Sequence, residues 1–354
     1  MQSNKISFKG QRVYVGIDVH LKKWHVTCMT ESNFKRTIEQ PADAEALKTF
    51  LERNFKDADY YAAYEAGFSG FSTYYALESR GIHTIVVNAA DIPSSQYDKI
   101  MKTDRVDSEK IATALRADLL RGLYVRNFDN LDDVSLVRLR KSIRNEESAN
   151  KVRVKMLLYT NGISIPHELS KRWTRAFVNW LQSDIGLLSE TRRTLDQLID
   201  HVGVLHSEYL KANRKVRELW RTDKYRERMQ LLLSVPGIGA TTAITFLTEI
   251  GDFSRFRNER EFASYLGLVP SSHNSGDKIL QRSMTFRGNS RLGAVLTEAA
   301  WKSIAKDIAL GVFFANCKKR MTANKAIVKV ARRLSNIIFS IMKSNTKYDP
   351  ARVK

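Results

Sequence analysis

The chain has 354 residues, 43% of them apolar, enough to bury real cores, and its length suggests two or three domains. Its 58 Lys and Arg stand against 38 Asp and Glu, and the resulting net charge of +20 points to a polyanionic partner, nucleic acid first, on a chain too apolar to be a disordered basic tail. Cys28 and Cys317 are isolated, which excludes a disulfide framework and zinc-ligand spacing; the uncharged run from Leu231 to Thr248 carries Pro236, Gly237 and Gly239 and reads as a folded motif, not a membrane span. No secretory signal opens the sequence, and a reducing cytoplasm is expected.

From Arg12 to about Leu120, β-rich runs (Val13–Ile17, His25–Met29, Tyr60–Tyr64, Thr84–Val87) alternate with helical stretches at Ala44–Leu51 and Phe71–Ser79. This is an α/β pattern with a central sheet. Asp18 closes the first apolar run and Glu65 the third, so each carboxylate should project from the end of a buried strand. Thr103 reads as the cap of a helix that begins at Asp104, which sets Asp104 and Asp107 on one face roughly 5–6 Å apart. Magnesium takes hard oxygen ligands and keeps several waters, so four carboxylates converging from different elements suit one or two such ions bound with a phosphate. Taken singly, each acid could equally cap a neighbouring helix.

From about Asp132 to Arg228 strand signals fade and long charged helices dominate, broken near Gly162–Pro166. Leu195, Leu198, Val202, Leu205 and Tyr209 recur at helical spacing, the mark of a coiled-coil or helical-hairpin spacer and a candidate dimerisation stripe. Arg138, Arg140, Lys141, Arg144, Lys151, Arg153 and Lys155 form a basic cluster fit for RNA. Beyond Met229, Ser234-Val235-Pro236-Gly237-Ile238-Gly239 has the form of a helix-hairpin-helix turn, whose glycines would let amides approach a phosphate; the same turn could be purely structural. Leu266–Pro270 leads into a polar loop, Ser271–Gly276. Lys325, Lys329, Arg332 and Arg333 then line one face of a helix whose other face is Ile327, Val330, Leu334, Ile337 and Ile338.

Tyr14-Val15-Gly16-Ile17-Asp18, Tyr64-Glu65-Ala66-Gly67-Phe68, Val87–Pro93 and Lys102-Thr103-Asp104-Arg105-Val106-Asp107-Ser108, in this order, resemble the DEDD transposases of the insertion-sequence 110 family. The Val235–Gly239 turn and the segment from Gly267 to Gly276 are similar to that family's C-terminal domain, so the resemblance spans nearly the whole chain. It implies a RuvC-like (RNase H-like) α/β domain over 1–130 with Asp18, Glu65, Asp104 and Asp107 as a Mg2+-binding tetrad. A helical coiled-coil spacer over 131–228 and a mainly α C-terminal transposase domain over 229–354 would follow. It also implies that Ser275 attacks a DNA phosphodiester to form a covalent intermediate, and that a noncoding bridge RNA pairs with donor and target DNA. A dimer or tetramer in the nucleoid of a prokaryotic cytoplasm is implied as well, with tetrad and serine contributed by different subunits. One departure stands out: where the family carries a Lys and an Arg around Gly288-Asn289, this sequence has Phe286 and Gly293, leaving Arg287 or Arg291 for phosphate contacts.

Two other functions fit parts of the pattern. A RuvC-type structure-specific endonuclease or resolvase would use the tetrad and a metal-activated water, with Ser275 a mere loop residue. A non-enzymatic nucleic-acid-binding protein would need only the basic helices and the hairpin turn.

Overall fold

The computed structural model describes residues 8–32, 34–93, 103–170, 172–275, 278–284 and 288–352, the stretch 270–284 by its backbone. Lys102, Gly276, Phe286 and Arg287 lie outside the described residues. The chain divides into two compact units, 1–125 and 126–354.

The first unit is built on a five-stranded sheet in the order β3-β2-β1-β4-β5. Strands β1 (Arg12–Val19), β2 (Lys23–Thr30) and β3 (Lys35–Pro41) form an antiparallel meander, while β4 (Asp59–Glu65) and β5 (His83–Val87) run parallel to β1. Alternation along β1 sends Val13, Val15 and Ile17 to one face. There they share a core with Leu47 and Leu51 of α1 (Ala44–Asn54) and Leu77 of α2 (Ser72–Glu78). The opposite face is covered by α3 (Asp104–Arg116), which starts where expected because the Thr103 hydroxyl accepts from the Val106 amide. Strand β3 lies outside the apolar runs of the sequence: it is a mostly polar edge strand without the apolar alternation that betrays a buried one.

Gly16 sets how close α3 can lie. A Cβ built there would stand 2.1 Å from the Ser108 carbonyl oxygen and 2.4 Å from the Ala112 amide nitrogen, so the helix backbone rests directly on the strand. Ser108 Oγ and Thr27 Oγ1 share a 2.9 Å hydrogen bond that fixes the helix against β2.

The second unit is mostly helical. Helices α4 (Phe128–Thr160) and α6 (Ser189–Arg221) lie side by side, with α5 (Arg175–Gln182) packed over Val154, Leu158, Leu195 and Ile199. The stripe expected to face another subunit is instead covered within the chain: Leu195, Val202 and Leu205 are buried, Leu198 packs against the same core, and Tyr209 is stacked under Arg140 and Arg144. After α7 (Asp223–Leu233) come α8 (Ala240–Ile250) and α9 (Glu259–Tyr265). The expected polar loop is instead a β-hairpin, β6 (Pro270–Ser275) and β7 (Lys278–Met284). Backbone pairing along both strands supplies the order that the polar side chains do not announce. Then follow α10 (Ser290–Ser303), α11 (Ile308–Lys318) and α12 (Ala323–Ser344) around one shared core. The glycine-rich turn between α7 and α8 is partly structural. Gly237 takes φ +88°, and a Cβ there would meet Ser303 of α10 at 2.2 Å, while nothing lies within 4 Å of a Cβ at Gly239. Among the described residues no helix is long and apolar enough to cross a membrane.

Candidate active site

The four sequence-selected acids all fall in the first unit, but the structure gathers them unequally. Asp18 lies one residue before the end of β1, on the face that α3 covers, and Gly16 two residues earlier lets the start of α3 approach it. Asp104 heads α3, and its Oδ2 stands 3.5 Å from His20 Nε2, which in turn is 3.1 Å from Asp18 Oδ2. One ligand atom from each of Asp18, His20 and Asp104 lies within 4.8 Å of the others. Asp107, one turn along, pairs with Lys110 Nζ at 3.0 Å and reaches Asp18 only through its charge. Glu65 ends β4, one step past the Ile17–Tyr64 pair, so strand alternation sends it to the same sheet face as Asp18. It is exposed and stands outside that closer group.

Burial pushes the Asp18 carboxyl above the usual aspartate range; His20 opposes this, while the charges of Asp104 and Asp107 add to it. An ionised cluster of this kind is stabilised by a divalent cation. Three further polar residues at the site were not selected from sequence: His20, His25 and Glu39. The β1–β2–β3 register sets Asp18, His25 and Glu39 in one row across the sheet, and His25 Nε2 is 3.4 Å from Glu39 and 3.5 Å from Asp104. His20 carried a sequence signal, two residues after Asp18. His25 and Glu39 became visible only with the strand pairing.

Ser275 is the last residue of β6, its backbone paired opposite Lys278; its hydroxyl lies outside what is described. Gly288 and Gly293 are tightly seated: a Cβ on Gly288 would collide with Gly267 at 2.2 Å, and one on Gly293 would meet the Leu266 carbonyl at 2.6 Å. Position 293 therefore has no room for a cationic side chain. Arg291 points instead to a buried carboxylate. Glu249, 1% exposed at the end of α8, accepts from Arg138 Nε and Nη2 at 2.7 and 2.8 Å, with Arg126 and Arg291 each 3.5 Å away. Burial alone would raise the Glu249 acid, but the Arg138 hydrogen bonds and the three positive charges hold it below the ordinary glutamate range. Much of the expected RNA-facing cluster is likewise engaged within the chain. Arg140 bonds Asn213 and Tyr209, Arg144 and Lys151 flank the buried Glu147, Arg153 bonds Asn150, and Lys155 bonds the Ser170 carbonyl. Of the C-terminal basic stripe, Lys325 and Lys329 are exposed, whereas Arg333 stacks on Phe313.

The sequence also matches known proteins along most of its length. The family model described as "Transposase IS116/IS110/IS902 family" matches residues 229–311, and a DEDD-type model of the same group, described as "Transposase", matches residues 15–160. The chain is 28% identical to a putative transposase of Sinorhizobium fredii, over 82% of this chain and 72% of that protein. It is 26% identical to the transposase of insertion sequence element IS1533 of Leptospira borgpetersenii, over 82% and 85%. A pilin gene-inverting protein of Moraxella bovis is 31% identical over 37% of this chain and 43% of its own. With two transposase models matched in order and relatives of this kind along most of its length, the chain belongs to the IS110 family of DEDD transposases and is a DNA transposase or recombinase.

Proposed function

We propose that this transposase is a magnesium-dependent, RNA-guided recombinase of an insertion sequence that exchanges DNA strands through a covalent Ser275–DNA intermediate. The reading assigns 1–130 to a RuvC-like (RNase H-like) domain with Asp18, Glu65, Asp104 and Asp107 as its tetrad. Residues 131–228 form a coiled-coil spacer and 229–354 the C-terminal transposase domain. The strand order β3-β2-β1-β4-β5, a meander extended by two parallel strands, supports the RuvC-like assignment. The observation that carries the reading is the convergence of Asp18 and Asp104 from a strand end and a helix start, with the Asp18 acid raised by burial and by its acidic neighbours.

These carboxylates fit a divalent ion: their mutual repulsion is what a cation relieves. Bound there, magnesium supplies polarisation of a phosphodiester. Asp18 and Asp104 hold their oxygens at the site, and Gly16 keeps α3 close enough for them to do so together. The Ser275 oxygen forms a bond to phosphorus as its hydroxyl gives up a proton, while a P–O bond of the DNA backbone breaks and the departing sugar oxygen takes up a proton, so the phosphoester linkage is conserved for religation. A noncoding bridge RNA from the element selects donor and target DNA by base pairing, and the protein reads shape and backbone. A homo-oligomer, dimer or tetramer, holds the two DNA segments in the nucleoid of a prokaryotic cytoplasm.

The test is a denaturing gel of full-length protein with the element's noncoding RNA, donor and target duplexes, and magnesium. Wild type should give a protease-sensitive protein–DNA adduct, and Ser275→Ala should bind both nucleic acids yet give none. Metal-dependent cleavage without an adduct in the wild type would instead favour a RuvC-type endonuclease or resolvase acting through water. Binding to the element's RNA no tighter than to scrambled RNA would remove the guide.

A further inference from the structure

We propose that His20 is a direct metal ligand beside Asp18 and Asp104, and that this imidazole makes the centre prefer manganese to magnesium. The inference rests on the reading above that Asp18 and Asp104 hold a divalent ion, and adds to it a ligand and an ion preference. Two donor atoms each about 2.1 Å from one ion stand about 3 Å apart when adjacent and about 4.2 Å apart when opposite. His20 Nε2 is 3.1 Å from Asp18 Oδ2 and 3.5 Å from Asp104 Oδ2, inside that window. Two carboxylates and one neutral imidazole also balance a divalent charge. Magnesium binds oxygen and dehydrates reluctantly, whereas nitrogen donors shift affinity along the first-row series toward manganese and beyond.

The neighbouring groups support a ligand held in place. His25 Nε2 reaches the same Asp104 oxygen at 3.5 Å and Glu39 at 3.4 Å, and its ring stands edge-on to that of His20, with centroids 6.5 Å apart. His25, less exposed than His20, is placed to orient Asp104 and is an outer support by position. The competing role for His20 is that of a protonated counter-ion standing where a cation would otherwise go. The two roles predict opposite results: removing a ligand weakens manganese binding, and removing a competing positive charge strengthens the binding of both ions.

The experiment uses the full chain without nucleic acid. Manganese binding is followed by the loss of the free-ion electron paramagnetic resonance signal, magnesium is measured by competition, and pulsed resonance detects nitrogen coupled to the bound manganese. Wild type should bind manganese about tenfold more tightly than magnesium and show nitrogen coupling. His20→Ala should lose about tenfold in manganese affinity, keep magnesium affinity within about twofold and lose the coupling, with an unchanged melting temperature. His25→Ala should retain the coupling. Manganese binding by His20→Ala as tight as wild type or tighter, or wild-type manganese without nitrogen coupling, overturns the assignment while the carboxylate site stands. Unaltered binding of both ions by Asp18→Ala would overturn the carboxylate site itself, and the assignment of His20 with it.

Discussion

Gly16→Ala is the smallest change that should dismantle the metal site without touching any ligand. The added Cβ would sit 2.1 Å from the Ser108 carbonyl oxygen and 2.4 Å from the Ala112 amide nitrogen. Ordinary contact needs more than about 1 Å of extra room. Both obstacles are backbone atoms of α3, so no side chain can swing away; the helix must lift off β1 and strain the Ser108–Thr27 hydrogen bond. Overpacking of this kind costs about 1–3 kcal/mol, and a backbone-to-backbone clash belongs at the upper end. For a unit of this size about 3 kcal/mol lowers the melting transition by roughly 10 °C. Because Asp104 rides on α3 and Asp18 on β1, the same displacement should separate the carboxylates and weaken divalent binding by at least about tenfold. Gly203→Ala is the control: it makes the same chemical change on an open face of α6, where a Cβ meets nothing within 4 Å. It should stabilise its helix by about 0.5–1 kcal/mol. Calorimetry and manganese titration of the two variants decide the matter. A Gly16→Ala protein that melts and binds metal like wild type would refute the idea that helix approach assembles the site.

Glu249→Ala should destabilise the second unit by about 3–5 kcal/mol in chemical denaturation, since it leaves Arg126 and Arg138 facing a buried void without their shared carboxylate. The same group contributes to acid sensitivity: its folded pKa is depressed, so its stabilisation is complete above the unfolded value, about 4.3, and is lost as pH falls through the lower folded value. Glu147, buried between Arg144 and Lys151, acts in the same direction, and Glu249→Gln should flatten the acid limb of a stability-versus-pH curve in part. Asp18→Asn should abolish recombination and weaken divalent binding while leaving the melting temperature equal or higher. Its folded acid is raised, so the protonated carboxyl favours the fold below the unfolded value, and that contribution is lost as the group ionises when pH rises through the folded value. A melting temperature several degrees lower would show that the carboxylate is held for stability instead.

Local chemistry, written in the sequence itself, determined the strands that present Asp18 and Glu65 and the helix start at Asp104. Apolar runs set the strand period, and a threonine hydroxyl caps a helix through a contact three residues away. The basic composition and the motif order likewise carried the family. The remaining features depended on long-range placement. His25 and Glu39 join Asp18 only through cross-strand register, and β3 is held by its neighbour's backbone more than by its own polar sequence. The stripe along α6 reads the same whether its partner is another subunit or α4 and α5 of its own chain, and only packing chose the latter. The arginines that looked free for nucleic acid were tied to Glu147 and Glu249, because a buried carboxylate must be neutralised by whatever cations the fold brings within reach.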